Sequence, residues 1–141
     1  MRPRPRTGLL VANLGSPDAP EPGAVRRYLA EFLMDPYVVD IPVVWRALLV
    51  YGAILPRRPK QSAAAYAQIW TERGSPLRFH GEDLAEALEE RLDRPVALGM
   101  RYGNPGIREA LADLRTRGAR EVQVLPLFPQ YSESAWETAV Q

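Results

Sequence analysis

The apolar residues of this chain fall into two kinds of run. "TGLLVANLG" and "PVALGM" are short and nearly unbroken, and "EVQVLPLF" likewise reads as a buried strand. That pattern predicts strands buried on both faces. "PGAVRRYLAEFL" instead spaces Val25, Tyr28, Leu29, Phe32 and Leu33 as one face of a helix, with prolines in front. The connection "GSPDAPEP" between the first strand and this helix is turn chemistry. "KQSAAAYAQIW" predicts a second helix over residues 60–70, which "ERGSPLRF" breaks. A third helix is expected over residues 83–92, with Leu84, Leu88 and Leu92 on its apolar face. The clearest unit comes last. "PVALGM" is followed by Asn104 as N-cap and Pro105 at the first helical position. Ile107, Ala110, Leu111 and Leu114 form the apolar face, and Gly118 stops the helix before "EVQVLPLF". A β-α-β unit of this kind implies parallel strands joined by a helical crossover. The expected fold class is α/β, a Rossmann-like doubly wound parallel sheet.

Composition narrows the function classes. The chain has 141 residues, the length of one ordinary domain with its own core. A net charge of +1 gives no reason to expect nucleic acid as a partner. There are no cysteines, so neither disulfides nor thiolate ligands for a metal or an iron–sulfur cluster come from these residues. Residues 1–7 are basic and proline-rich and are read as a disordered N-terminus. They have no apolar h-region. The stretch "IPVVWRALLVYGAIL", residues 41–55, is shorter than the roughly 20 residues a spanning helix needs, and Arg46 interrupts it. Trp45 and Tyr51 suit an interface, so the stretch reads as an apolar lip facing a ligand or a membrane surface.

In open parallel sheets, ligands sit beyond the carboxyl ends of the strands. The three strand ends here carry Asn13, Leu14, Gly15, Ser16 and Pro17, then Arg101, Tyr102, Gly103 and Asn104, then Pro129, Gln130, Tyr131, Ser132 and Ser134. Packing accounts for Tyr102 and Tyr131 as well as ligand contact does, and capping accounts for Asn104. Arg101 is harder to assign to packing. A cation at the mouth of a buried strand needs an anion or solvent beside it, and arginine suits a carboxylate or phosphate. Arg57, Arg58 and Lys60 in "PRRPK" form a second cationic cluster, equally compatible with a solvated turn. Ser75 in "GSPL" can simply shape a turn. "NLGSPD" is not the dinucleotide fingerprint. His80 is the single histidine, expected just ahead of a helix on the surface. One histidine builds neither a metal site nor, without a nucleophile elbow, a hydrolase triad. The residues by themselves reach a polar, cationic mouth suited to an anionic organic ligand.

Taken together, "LLVANLGSPDAP", "VRRYLAEFLMDPYVVDIP", "ILPRRPK", "AYAQIWTERGSPL", "ALGMRYGNPGI" and "VLPLFPQYSESA" resemble, in order, the N-terminal motifs of ferrochelatase. The likeness covers the chain from Gly8 onward. It implies insertion of Fe2+ into protoporphyrin IX to form protohaem, with both as substrates and no permanently bound cofactor. It implies a fold of two Rossmann-like halves with porphyrin between them, of which residues 8–141 would be the N-terminal one. In the resembled family the positions matching Leu14, Arg57, Arg58, Ser75, Arg101, Tyr102, Phe128 and Ser134 lie in or near the porphyrin pocket. The segment matching residues 39–66 forms the apolar lip. The resemblance further implies that Arg57 or Arg58, with Ser75, holds propionates. Asn13 stands where some relatives have a tyrosine near the metal route, so no metal contact is assigned.

The family's catalytic histidine and carboxylate come from a C-terminal half with no counterpart in these residues, and His80 does not match that histidine's motif. No catalytic residue is therefore expected in this chain. It is expected to be an N-terminal half with little insertion activity alone. Two alternatives stay open: a half-length class II chelatase completed by dimerisation, and a porphyrin-binding module without catalysis. The expected location is cytoplasmic, with peripheral membrane contact through the 41–55 lip.

Overall fold

The computed structural model describes residues 7–128. Strand β1 (Thr7–Gly15) leads through a turn into helix α1 (Pro22–Leu33). A short helix α2 (Val43–Ala47) runs on into a π-helical segment (Leu48–Ile54). Helices α3 (Arg58–Ile69) and α4 (Pro76–Leu92) follow, then β2 (Val96–Tyr102), α5 (Ile107–Thr116) and β3 (Glu121–Pro126). The three strands form one parallel sheet in the order β2-β1-β3.

The central place of β1 explains its unbroken apolar run. Leu9 and Val11 project to one face, where they join Val96, Leu98, Met100 and Ala85 of α4, with Leu88 packed alongside. Leu10 projects to the other face and packs on Ala110 and Leu114 of α5 and on Ala119. A strand covered by helices on both sides has no solvent face to carry polar residues. Burying each of the larger side chains is worth about 1.5–3 kcal/mol. Gly99 of β2 lets α5 approach, since a Cβ there would lie 3.0 Å from the Cα of Ile107. The Rossmann-like, doubly wound character expected from the sequence is what the sheet shows.

Some expected boundaries differ. Helix α4 starts at Pro76, seven positions ahead of the expected residue 83, because proline suits the first helical turn and Ser75 precedes it in extended conformation. Its buried face carries Gly81 and Ala85, while Leu84 and Leu92 are exposed. The residue before α5 is Gly106, whose N–H donates to Glu109 Oε2 (3.3 Å). Asn104 and Pro105, expected as N-cap and first helical residue, lie ahead of the helix and are joined by a cis peptide bond. Thr7, grouped with the disordered N-terminus in the sequence reading, already pairs with Glu121 in β1.

The lip inverts the usual sorting of side chains. Val43, Val44, Trp45, Leu48, Leu49 and Tyr51 are exposed, whereas Arg46 and Val50 are buried. Arg46 Nη1 donates to the Val39 carbonyl (3.0 Å), holding α2 against the turn before it. Arg26 Nη1 donates to the Leu55 carbonyl (2.8 Å), fixing the far end of the segment to α1. Among the described residues no helix is long and apolar enough to cross a membrane.

Candidate functional site

Parallel pairing brings the carboxyl ends of all three strands to one edge. Gly15 sits opposite Tyr102 with φ of 118°. A Cβ there would lie 1.8 Å from the Tyr102 carbonyl oxygen, so only glycine lets the two strand ends close on each other. Asn13 is buried, and its Oδ1 accepts from the Leu14 N–H (2.8 Å). Ser16 Oγ donates to the Pro17 carbonyl (3.1 Å). Asn104 Nδ2 donates to Asp18 Oδ1 (3.0 Å). That bond ties the second strand-end loop to the first, and it is the work Asn104 does in place of capping.

The strongest polar cluster on this edge is built around a residue that sequence reasoning missed. Asp35 follows α1, and its side chain is 3% exposed. Its Oδ2 accepts from Arg101 Nη2 (2.6 Å) and from the Tyr102 hydroxyl (2.8 Å), and its Oδ1 accepts from the Tyr37 N–H (2.9 Å). The Arg101 guanidinium also lies 5.0 Å from the centre of the Tyr102 ring, which Phe32 meets edge-on at 5.1 Å. The anion that Arg101 calls for at a strand mouth is thus supplied by the chain itself. The signal in the sequence was an aspartate inside the otherwise apolar "FLMDPYVV". Arg101 keeps 33% of its side chain exposed. It borders a cavity of about 480 Å³ with Glu31, Met34, Asp35, Tyr37 and Tyr102.

Behind this cluster lies an aromatic wall. The Tyr28 hydroxyl donates to the Gly15 carbonyl (3.2 Å), and its ring meets Tyr66 edge-on at 6.4 Å. Burial pushes the Tyr28 phenol well above its ordinary value, and the neighbouring Tyr66, Tyr102 and Glu31 add to the shift. Burial raises Tyr66 as well. Both phenols therefore stay neutral through the physiological range, and that of Tyr28 serves as a hydrogen-bond donor.

The other expected residues divide by location. Leu14 is half-buried at the end of β1. Ser75 is buried at the start of α4, lining a cleft of about 370 Å³ with Pro17 and Asp18 of the first strand-end loop. Phe128 is half-buried just after Leu127, whose N–H donates to the Ala12 carbonyl (2.8 Å) and keeps the end of β3 beside β1. Arg57 and Arg58 are exposed where the lip passes into α3, with Arg57 Nη1 reaching only the Ala53 carbonyl (3.4 Å). Leu14, Ser75, Arg101, Tyr102 and Phe128 thus share the strand-end side, while the arginine pair stands at the foot of the lip. Gln130, Tyr131, Ser132 and Ser134 lie outside the described residues. His80 is not ahead of a helix but inside α4, exposed, with its ring 4.3 Å from that of Phe79. Among the described residues no group of three or more histidine or carboxylate side chains is placed to hold a metal.

Comparison with known proteins is consistent along the whole length. The ferrochelatase family model matches residues 6–141. A ferrochelatase of Thioalkalivibrio sulfidiphilus is 55% identical over 133 residues, 90% of this chain and 36% of that protein. A ferrochelatase of Coxiella burnetii is 50% identical over 138 residues, 96% of this chain and 39% of that protein. One of Legionella pneumophila is 49% identical over 138 residues, 96% of this chain and 41% of that protein. The chain thus spans about two fifths of the length of these relatives.

Proposed function

The chain belongs to the ferrochelatase family, and from that premise we propose that it forms the porphyrin-holding wall of an enzyme inserting Fe2+ into protoporphyrin IX to make protohaem. The observation that carries this reading is the edge itself. A guanidinium and a phenol, fixed by a buried carboxylate, stand at the strand ends. An apolar lip with Trp45 65% exposed lies on the same chain, offering a surface for a flat hydrophobic macrocycle. Leu14, Ser75, Arg101, Tyr102, Phe128 and Ser134 are assigned to the macrocycle's surroundings. One arginine of the exposed Arg57 and Arg58 pair, with Ser75, is assigned to a propionate. The same lip suits contact with a membrane surface in a cytoplasmic protein.

Metal insertion must also strip both pyrrole protons from the ring, which calls for a base. The groups on this edge are poorly suited to that work. Tyr28 and Tyr66 are held neutral. The Asp35 carboxylate is engaged by Arg101, Tyr102 and the Tyr37 N–H. His80 is exposed on α4. We therefore assign substrate holding to the described edge, and proton removal to residues other than these. The test is a titration of the chain with protoporphyrin IX followed by addition of Fe2+ or Zn2+. The expected outcome is a Soret shift at micromolar porphyrin without metal insertion. Turnover matching that of a full-length relative would overturn this division of labour.

A further inference from the structure

Asp35 lies within the motif "VRRYLAEFLMDPYVVDIP" but is not among the residues that the resemblance assigns to the pocket, yet it accepts three hydrogen bonds at the strand-end edge. Its Oδ2 takes both the Arg101 guanidinium and the Tyr102 hydroxyl. Its Oδ1 takes the Tyr37 N–H, which fixes the carboxylate plane from the opposite side. The carboxylate is withdrawn from solvent, while a third of Arg101 faces the cavity. Arg101 Nε is buried and makes no hydrogen bond, so the orientation of the guanidinium rests on its bond to Asp35 and its position by the Tyr102 ring.

We propose that Asp35 is the positioning residue of this edge, holding Arg101 and Tyr102 in the orientation in which Arg101 can receive a carboxylate of the ligand. This rests on the porphyrin reading given above and deepens it. Two effects of Asp35 oppose each other. Its charge offsets that of Arg101 and so weakens the pull on an incoming anion. Its bonds also spare two side chains the cost of ordering when the ligand arrives. For a partly exposed cation the charge effect is small, of the size of a surface ion pair. Ordering costs about 0.5–1.5 kcal/mol for each side chain. With two side chains held, orientation outweighs charge, and removing the carboxylate weakens anion binding.

The test uses the 141-residue chain and two probes, protoporphyrin IX and its dimethyl ester, which differ only in their carboxylates. Asp35→Asn keeps the shape of the residue and removes its charge. It is expected to weaken binding of the diacid about tenfold while the ester changes by less than about twofold. A purely structural loss would weaken both probes together and so overturn the assignment. An unchanged ratio of the two affinities, or tighter diacid binding, would also overturn it. In an Arg101→Gln background, Asp35→Asn is expected to cause no further loss of diacid selectivity, because Asp35 acts through Arg101. An undiminished second loss would place Asp35 in direct contact with the ligand instead. Thermal melts of each variant report folding separately. If the unaltered chain binds neither probe, the porphyrin reading itself fails and the assignment falls with it. If it binds both probes equally, porphyrin binding stands and the role of Arg101 and Asp35 does not.

Discussion

Helix α5 and the lip at residues 41–55 sort their side chains in opposite directions. In α5 the apolar Ala110 and Leu114 face the sheet, while Arg108, Glu109, Asp113 and Arg115 face solvent. In the lip the single arginine is buried and Val43, Val44, Trp45 and Leu48 face outward. Both arrangements satisfy the backbone helically, so secondary structure does not distinguish them. What differs is what the outward face is for. A helix that exists to cover a core puts its apolar stripe inward. A segment that exposes a contiguous apolar surface marks a place where something else binds.

The sharpest way to break this comparison is to damage each region and measure stability. Leu114 is fully buried against Leu10. Leu114→Ala is expected to cost about 2–5 kcal/mol in urea denaturation, the range for a large-to-small change in a packed core. Replacing Val44, Trp45 and Leu48 together by serine is expected to change stability by less than about 0.5 kcal/mol at each position, since these side chains are already in water. The same triple variant is expected to lose about tenfold in protoporphyrin affinity. Burying even part of three such side chains against a ligand is worth more than the roughly 1.4 kcal/mol this requires. A lip variant that unfolds as readily as Leu114→Ala would show that the lip is core. One that binds porphyrin normally would show that the lip is not the ligand surface.

The sequence made the sheet legible because a strand buried on both faces leaves an unmistakable apolar run. β1, β2 and β3 each fall on the run that predicted them, but the expected burial holds for β1 and β2 only: residues 121–125 of β3 are exposed, because among the described residues β3 stands at an edge of the sheet. The turn into α1 and the glycine stop after α5 were legible for similar local reasons. The start of α4 was not, because "GSPLRF" has the composition of a loop. Proline reads as a breaker unless it stands at a first helical position. Asn104 was misread for a related reason. A cap and a cross-loop hydrogen bond use the same side chain, and only the approach of Asp18 decides between them. At the site, Arg101 was legible as a cation in need of an anion. Asp35 was not legible as that anion, because the bond joins residues 66 positions apart. Local pattern carries no information about such a pairing. The lip was legible as an apolar surface, but the inward turn of Arg46 was not, since a charge within an apolar run reads as an interruption of it.

The smallest effect is expected where the comparison between covered and uncovered surfaces reaches the sheet edge. Among the described residues β2 has no strand beyond it. Its outward groups at Val96 are taken by side chains instead. The Val96 N–H donates to Glu89 Oε2 (3.0 Å), and the Val96 carbonyl accepts from Arg117 Nη1 (3.1 Å). Glu89 and Arg117 are themselves paired. Side chains from α4 and from the end of α5 thus occupy the place of a neighbouring strand and blunt the edge. The bond to Arg117, and after it the Val96 N–H, hold the Glu89 carboxyl below its ordinary value of 4.5. A depressed carboxyl contributes its stability in full above that ordinary value. The contribution is lost as pH falls through the lower value of the folded state. Because both side chains are at least a third exposed, the contribution is held to about 1 kcal/mol or less. Glu89→Gln is therefore expected to lower stability slightly at pH 7, and to make no difference once the native carboxylate is protonated. Urea denaturation at neutral pH and in acid compares the two. An equal loss at both would mean that shape at this edge matters and charge does not, and the edge would then belong with the packed faces of the sheet.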